Sequence, residues 1–244
     1  MTTGQSMEEE NSSRSGGADG ELQNASLKSL TIYLVCFFII WTLRATVFFR
    51  IDETIDSPSW RNVYSNAVKF AIWVIPVFLI LVFVDKVRPL KYLKLTSAIN
   101  WRGALLAAVI MSLFLTGVFL VEARLQGKPV TIWLSKPDYK WLGIFAGVFS
   151  SPMWEEILFR GFVLNRLNER LAFWQSNLIA AFLFMLAHVP FWVSHSGLSQ
   201  HVMKDLLNVF VLGALFGWFM KKSNSLWPPV VAHIANNFVS GLIH

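Results

Sequence analysis

Seven long apolar segments dominate this chain of 244 residues and restrict what it can fold into. Each is long enough to cross a hydrocarbon core of about 30 Å as a helix. Backbone N–H and C=O groups cannot stay unpaired in lipid, so we interpret these segments as helices. We therefore predict an all-α fold, a polytopic membrane bundle of about seven transmembrane helices. The predicted segments are Leu30–Phe49, Val68–Val84, Ala104–Val121, Trp141–Leu164, Asn177–Trp192, Val202–Met220 and Leu226–Ile243.

Composition supports a membrane protein and argues against other classes. Hydrophobic residues make up 55% of the chain and charged residues 15%, whereas soluble domains average about 25% charged residues. The net charge of +6 fits basic loops beside anionic lipid headgroups, so lipid is a predicted partner and nucleic acid is not. Cys36 is the only cysteine, which excludes an intramolecular disulfide and a cysteine-based zinc site.

The ends and loops predict the organisation of the chain. Residues 1–27 are poor in large apolar residues and are predicted to be a disordered tail. Residues 28–140 would hold the first transmembrane helices, and residues 141–244 a second helical unit. Eleven Lys and Arg residues fall on the N-terminal side of the membrane and seven on the other. This bias favours a cytoplasmic N-terminus for a multi-pass protein of the inner (plasma) membrane.

Three ionisable residues interrupt the fourth apolar segment. Glu156 and Arg160 are spaced i, i+4 and share one helix face, where they can pair. Glu155 is rotated about 100° from Glu156 and is free to face another partner. A structural ion pair explains Glu156 and Arg160 but leaves Glu155 without a role. Charge at membrane depth indicates function by default, and Pro152 predicts a local break in this helix.

Two further segments carry polar residues that can meet Glu155. His188 lies 17 residues after Leu171, near the centre of the turn, and Glu155 lies 16 residues before it, so an antiparallel hairpin puts both at similar depth. His233 and Asn237 are spaced i, i+4 in the last segment. A packed core histidine and interhelical hydrogen bonding remain the alternative interpretations for these residues. The other histidines, predicted to be solvated, are His195, His201 and His244.

Four short motifs that contain these residues occur in order along the second half of the chain. They resemble the motifs of the CPBP intramembrane proteases, the family of type II CAAX prenyl endopeptidases and of proteins similar to lysostaphin-resistance protein A. The resemblance makes residues 141–244 the catalytic helical core. The motifs are Glu155-Glu156-x-x-x-Arg160, Phe184-x-x-x-His188, Phe210-x-x-Gly213 and His233-x-x-x-Asn237.

The resemblance implies hydrolysis of peptide bonds in membrane-associated substrates, such as CAAX-like proteins, peptide precursors or bacteriocin-type peptides. By position, Glu155 is the general base, His188 positions the water, and His233 and Asn237 stabilise the oxyanion. Glu156 and Arg160 are supporting members. This interpretation needs no cofactor.

Three alternatives stay open. Glu155, His188 and His233 have the composition of a catalytic zinc site, which makes a metalloprotease an alternative mechanism. A non-catalytic membrane scaffold or bacteriocin-immunity protein would keep the same fold without turnover. A small transporter would use Glu155 and His188 as a proton relay.

Overall fold

The computed structural model describes residues 27–99, 101–127 and 145–242. These residues form helices joined by short turns and contain no strand, which confirms the predicted all-α fold. Several predictions fall outside the described residues. These are the disordered tail up to residue 26, the start of the fourth segment at residues 141–144, the domain boundary at residue 140, and solvated His244.

The described residues form eleven α-helices, which we number in chain order, and three π-helical stretches. The α-helices are α1 (27–46), α2 (Arg50–Glu53), α3 (Pro58–Trp73), α4 (Ile75–Leu79), α5 (Pro89–Tyr92), α6 (Trp101–Gln126), α7 (Ser151–Glu156), α8 (Asn165–Asn168), α9 (Phe173–Ser196), α10 (Gln200–Ser223) and α11 (Trp227–Leu242). The π-helical stretches are Ile80–Val84, Phe145–Ser150 and Ile157–Leu164.

Among the described residues, five helical spans are long and apolar enough to cross a membrane, which makes the chain a multi-pass membrane protein. The predicted number of seven is not confirmed: the fourth segment begins outside the described residues, and α11 has 16 residues. All five spans extend past their predicted apolar segments at one or both ends, because helices continue into polar boundary residues. The spans are Leu27–Glu53, Pro58–Val84, Trp101–Leu125, Phe173–Ser196 and Gln200–Ser223.

The outer surface of these spans is apolar. Leu113 on α6 is 69% exposed, and Phe83 at the end of the second span is 71% exposed. Contiguous apolar surface of this extent is unfavourable in water and normally marks an interaction site. Hydrocarbon is the solvent that suits such a surface, so its exposure agrees with a membrane location.

The fourth segment lies at the centre of the bundle. All eight residues of its π-helical stretch Ile157–Leu164 are buried. Phe159 packs edge-on against Trp73 of α3, with 5.6 Å between ring centroids. At Gly161 the neighbouring helix leaves no room for a side chain, because an added Cβ would lie 2.9 Å from Cδ2 of Leu93. Residues of this helix therefore face protein on every side.

The predicted local break at Pro152 takes the form of a change in helix type. A π-helical stretch, Phe145–Ser150, ends where α7 begins, and Pro152 occupies the first turn of α7. Proline removes one helical hydrogen bond at this point, which agrees with the change in helix type directly before α7. A second π-helical stretch follows directly after Glu156. Short π-helical segments inside α-helices are frequent at functional sites.

Helices α9 and α10 approach closely at two glycines. A Cβ at Gly213 would lie 3.2 Å from the Cα of Ala181, so only glycine lets the backbones come this near. The side chain of Asn177 fills the position that a Cβ at Gly217 would take. Its amide group donates to the carbonyl of Ala214 at 2.9 Å. Close approach at small residues, with interhelical hydrogen bonds, is the usual packing of membrane helices.

The described helices on both sides of the predicted domain boundary pack together. Met111 of α6 lies in one hydrophobic cluster with Phe216 of α10 and Ala232 of α11. The N-terminal helices also hold a buried ion pair of their own, in which Nη2 of Arg44 lies 2.6 Å from Oδ2 of Asp52. The division at residue 140 stays a prediction.

Candidate active site

Glu155 is buried in the centre of the bundle and one of its carboxylate oxygens is fully engaged. Oε1 accepts hydrogen bonds from Nζ of Lys69 on α3 and from Oγ of Ser151, which lies one turn earlier on α7 at 3.1 Å. Lys69 also donates to Oγ of Ser151 at 2.7 Å and lies 4.5 Å from the centre of the Trp73 ring. The ammonium group is thus held between a carboxylate, a hydroxyl and an aromatic face.

The other oxygen of Glu155 faces two histidines. Oε2 lies 3.9 Å from Nε2 of His188 on α9 and 3.7 Å from Nε2 of His233 on α11. Both distances exceed a direct hydrogen bond. Oε2 is buried and has no hydrogen-bond partner. Buried polar atoms are normally satisfied, so an unpartnered carboxylate oxygen between two ring nitrogens marks a place for a donor.

Hydrogen bonds at the far side of each ring determine the tautomers. Nδ1 of His188 lies 2.9 Å from the carbonyl of Phe184, and Nδ1 of His233 lies 2.8 Å from Oε1 of Glu156. Both partners are acceptors, so both Nδ1 atoms carry a hydrogen. In a neutral ring the Nε2 atom then presents a lone pair toward Glu155. Three hydrogen-bond acceptors therefore converge, namely Oε2 of Glu155 and the Nε2 atoms of His188 and His233. A water molecule between them, or a proton on one ring, would supply the missing donor.

Glu156 connects His233 to Arg160. Its side chain is fully buried, and Oε1 accepts from Nη1 of Arg160 at 3.0 Å as well as from His233. Nη2 of Arg160 donates to the carbonyl of Gly213 on α10 at 3.0 Å, and its guanidinium lies over the Phe184 ring. The predicted i, i+4 pairing of Glu156 and Arg160 is present, and the pair contacts α9, α10 and α11.

The charges of these groups balance. Two buried carboxylates, Glu155 and Glu156, are each paired with one cation, Lys69 and Arg160 respectively. Because an unpaired charge in the protein interior costs several kcal/mol, this matching is needed for the cluster to exist at membrane depth. Sequence reasoning treated Glu155 as a free carboxylate, and the structure instead pairs it with Lys69.

Asn237 lies near this cluster on α11 but does not join it by a hydrogen bond. Its Oδ1 accepts from Nδ2 of Asn236 at 3.0 Å. Among the described residues, no hydrogen bond connects Asn237 to Glu155, His188 or His233. With its oxygen engaged, Asn237 has its amide N–H groups left to donate. Asn236, which the sequence did not single out, is buried and its Oδ1 has no partner.

The remaining described histidines lie elsewhere. His195 is exposed near the end of α9, where Nδ1 contacts the carbonyl of Phe191 at 2.7 Å and its ring stacks on Phe191. The side chain of His201 is 75% exposed and lies 3.6 Å from Asp205. Neither is close to Glu155. This placement agrees with the solvated positions predicted for both.

The zinc alternative fits these residues poorly. No group of three or more His, Cys, Asp or Glu side chains suited to a metal ion occurs in the described part of the chain. The ammonium of Lys69 bonds to Oε1 of the carboxylate whose Oε2 would be a ligand, and an ammonium in that position repels a dication. Two Nε2 lone pairs and Oε2 of Glu155 still converge.

Lys69 and Ser151 belong to this cluster but were not predicted from the sequence. Lys69 lies inside an apolar span, and a lysine at membrane depth is itself a signal for a buried partner. Ser151 lies next to Pro152, and its hydroxyl donates to Glu155. Neither residue belongs to the four motifs that carry the resemblance.

Residues 137–239 match the family model described as "Type II CAAX prenyl endopeptidase Rce1-like". The matched region contains Ser151, Glu155, His188, His233 and their described partners on the same helices, and it leaves out Lys69. The match covers less than half of the chain, and it shows that residues 137–239 are similar to that family. No curated protein and no solved structure matches the chain.

Proposed function

We propose that this CAAX-type membrane protease hydrolyses peptide bonds of membrane-associated substrates with a water molecule activated by Glu155. One observation carries the proposal: Oε2 of Glu155 is buried, has no hydrogen-bond partner, and faces the Nε2 atoms of His188 and His233. A carboxylate that accepts a proton from water within hydrogen-bond reach meets the first requirement of a general base.

The reaction balances with this one base. Water donates one hydrogen to Oε2 of Glu155 and its oxygen attacks the carbonyl carbon of the scissile peptide bond. The proton held by Glu155 then passes to the leaving amine as the C–N bond breaks. The products are a carboxylic acid and an amine, and Glu155 returns to its carboxylate form. No covalent intermediate with the enzyme is required.

Lys69 gives Glu155 a fixed orientation in this proposal. By holding Oε1 together with Ser151, it leaves Oε2 as the only carboxylate oxygen that can reach the water. It also balances the negative charge, so the carboxylate can remain ionised in a buried site. The gain from this pairing is a fixed orientation of Oε2. Fixed geometry is a large part of catalytic acceleration.

The two histidines differ in the group that faces Nδ1, and we assign them different roles. The partner of His188 is a neutral carbonyl, which favours a neutral ring whose Nε2 accepts a hydrogen from the water. The partner of His233 is the carboxylate of Glu156, which orients the ring with Nε2 toward Glu155. In its doubly protonated form, His233 donates from Nε2 to the oxyanion of the tetrahedral intermediate. Asn237 supplies the second donor from its free amide group.

The substrates are proposed from the membrane setting of the site. The catalytic residues lie inside a helical bundle whose outer surface is apolar, so a substrate must be anchored in or beside the membrane. CAAX-like proteins, peptide precursors and bacteriocin-type peptides meet this condition. We place the protein in the inner (plasma) membrane with a cytoplasmic N-terminus, on the distribution of Lys and Arg.

A non-catalytic scaffold or immunity protein is the second candidate function. It is favoured by the two buried ion pairs, which give the cluster a structural role even without turnover. A proton-relay transporter would use the same residues, and its signature is uptake that depends on Glu155.

Cleavage of membrane-anchored peptides by the purified protein in lipid nanodiscs tests the proposal. Wild type is compared with Glu155→Gln and His188→Ala, and His201→Ala serves as the control because it removes an exposed histidine. We expect Glu155→Gln to lose at least about 10²–10⁴ in rate, the usual contribution of general-base catalysis, and His201→Ala to keep full activity. Equal cleavage by wild type and Glu155→Gln contradicts the mechanism. Uptake without cleavage, lost in Glu155→Gln, favours the transporter.

A further inference from the structure

A polar cavity of about 370 Å³ lies at the end of the bundle where the fourth segment turns into α9. It is separate from Glu155, and the proposed function assigns it no role. Its wall is formed by the loop after α5, by the end of the fourth segment, by the start of α9 and by the end of α10. The polar residues that line it are Lys94, Asn165, Asn168, Lys221 and Asn224.

The backbone at Lys94 is held in place rather than mobile in solvent. Its φ of 56° lies in the left-handed region, which non-glycine residues rarely adopt. Its carbonyl accepts from the N–H of Leu226 at 3.2 Å, and Nε1 of Trp227 donates to the adjacent carbonyl of Leu95 at 3.0 Å. These bonds attach the loop to the start of α11. The structure thus fixes the point from which a half-buried lysine reaches the cavity.

A second lysine faces the first. Burial lowers the pKa of Lys94, and the charge of Lys221 lowers it further. Lys221 lies in the last turn of α10 and its ammonium is 5.5 Å from the ring centre of Phe173, the first residue of α9. The N-terminal end of α9 and the C-terminal ends of α8 and α10 meet at the same cavity, so their opposite dipole ends offset one another. The positive potential there comes from the two lysines.

No carboxylate lines this cavity among the residues that the structure describes. The nearest acidic groups on these elements have other partners: Asp85 pairs with Arg166, and Glu169 accepts from the hydroxyl of Tyr92 at 2.6 Å. No ion pair involves Lys94 or Lys221 within the described residues. The cavity thus concentrates positive charge without a protein counter-ion.

The asparagines supply neutral hydrogen-bonding groups beside this charge. Nδ2 of Asn165 is already used, because it donates to the carbonyls of Tyr92 and Gly161 at 2.9 Å each. Within the described part of the chain, Asn168 and Asn224 have no side-chain hydrogen bonds, so their amide groups remain able to donate to a ligand. Two ammonium groups and two amides are a donor set suited to a phosphate group.

We propose that this cavity binds a phosphate group at the membrane surface, either the headgroup of an anionic lipid or free inorganic phosphate. Lys94 and Lys221 supply the charge, and Asn168 and Asn224 supply neutral donors. The ligand would connect the ends of the fourth segment, α9 and α10, whose central parts carry Glu155, His188 and the carbonyl that holds Arg160. Binding stabilises the assembled bundle because the ligand contacts the folded state alone.

The test measures thermal unfolding and native mass spectra of the full chain in detergent. The probes are phosphatidylglycerol, phosphatidylcholine and inorganic phosphate. Wild type is compared with Lys94→Gln/Lys221→Gln and with Lys221→Gln alone, which keeps the fixed Lys94 loop intact. The control is Lys86→Gln/Lys222→Gln, which removes the same charge from exposed positions outside the cavity lining.

We expect phosphatidylglycerol to raise the unfolding temperature of wild type and of the control variant. Either cavity variant should bind phosphatidylglycerol at least about tenfold more weakly than wild type does. A shift with phosphatidylglycerol alone identifies a lipid headgroup, and an equal shift with inorganic phosphate identifies a free phosphate. The proposal is overturned if the control variant loses as much affinity for phosphatidylglycerol as the cavity variants do. It is also overturned if phosphatidylglycerol and phosphatidylcholine act equally and inorganic phosphate has no effect. None of these readouts depends on protease activity.

Discussion

Lys69 and Glu155 form a buried ion pair between the second and fourth apolar segments, 86 residues apart in the chain. The pair brings one residue from outside the matched region 137–239 into direct contact with the proposed general base. Glu155 therefore has one oxygen held by the N-terminal helices and one oxygen directed at histidines of α9 and α11. The N-terminal helices contribute chemistry to the cluster as well as packing.

Lys69→Met should lower kcat by about 10²-fold with little change in KM, because a misplaced catalytic group of this kind costs about that much. Lys69→Arg keeps the positive charge and should restore part of the rate. The matched control is Arg44→Met, which breaks the other buried ion pair of the N-terminal helices. Steady-state kinetics on one membrane-anchored substrate measures kcat and KM for all three variants. An equal loss of kcat in Arg44→Met would contradict a specific role for Lys69.

Thermal stability gives a second measure of the same pair that does not depend on activity. Glu155→Gln leaves Lys69 buried without its counter-ion, so this variant should unfold at a lower temperature than wild type. Adding Lys69→Met to it should recover part of that loss, since the unpaired charge is removed. If the two substitutions lower the unfolding temperature additively, so that Lys69→Met costs as much in the Glu155→Gln background as in wild type, the two residues are not coupled.

Glu156→Gln should destabilise the protein by about 3–5 kcal/mol, the usual cost of breaking a buried ion pair by removing one partner. Arg160 would lose its carboxylate, and Nδ1 of His233 would lose the charged acceptor that orients its ring. Activity should fall together with stability. Denaturant unfolding measures the first effect, and rates measured on the folded fraction measure the second. Unchanged stability would show that Arg160 finds another partner.

Much of this cluster follows from spacing along single helices and across one hairpin. The i, i+4 spacing predicts the pairing of Glu156 with Arg160, which lie 3.0 Å apart. Equal distances from the Leu171 turn predict that Glu155 and His188 reach the same depth, and their side chains approach to 3.9 Å. Both relationships are local, because a helix rises by a constant amount per residue.

The contact of Lys69 could not be predicted in this way. The second apolar segment was predicted to begin at Val68, which put Lys69 at the edge of the membrane. The helix in fact begins at Pro58, so Lys69 is more than three turns inside it. Which face of that helix meets α7 depends on lateral packing between segments that do not follow each other in the chain. No periodicity in the sequence contains that information.

Asn237→Ala should lower kcat by about 10²–10³-fold, the usual cost of removing one oxyanion donor, and leave KM nearly unchanged. The structure leaves the amide group of Asn237 free while its oxygen accepts from Asn236. Asn236→Asp provides the comparison, since it removes the donor that orients Asn237 without removing Asn237 itself. Full activity in Asn237→Ala would assign the oxyanion to His233 alone.

Treatment with a zinc chelator should leave the protease active if Glu155 acts as a base without a metal. The physical reason is the ammonium of Lys69, which bonds to Oε1 of the carboxylate and repels a dication at Oε2. Metal analysis of the purified protein before and after treatment accompanies the kinetics. Full inhibition that zinc reverses would replace the glutamate mechanism with the metalloprotease alternative.

Gly217→Ala should destabilise the bundle by about 1–3 kcal/mol, as expected for overpacking of a filled interior. A Cβ there would overlap the side chain of Asn177, which is buried and hydrogen-bonded to the carbonyl of Ala214. Gly117→Ala is the matched control, because nothing lies within 4 Å of an added Cβ at that position on α6. Since alanine favours a helix over glycine by up to about 1 kcal/mol, the control should be neutral or more stable. Thermal unfolding in the same detergent compares the two variants, and equal stability would mean that α9 and α10 can separate at Asn177 without cost.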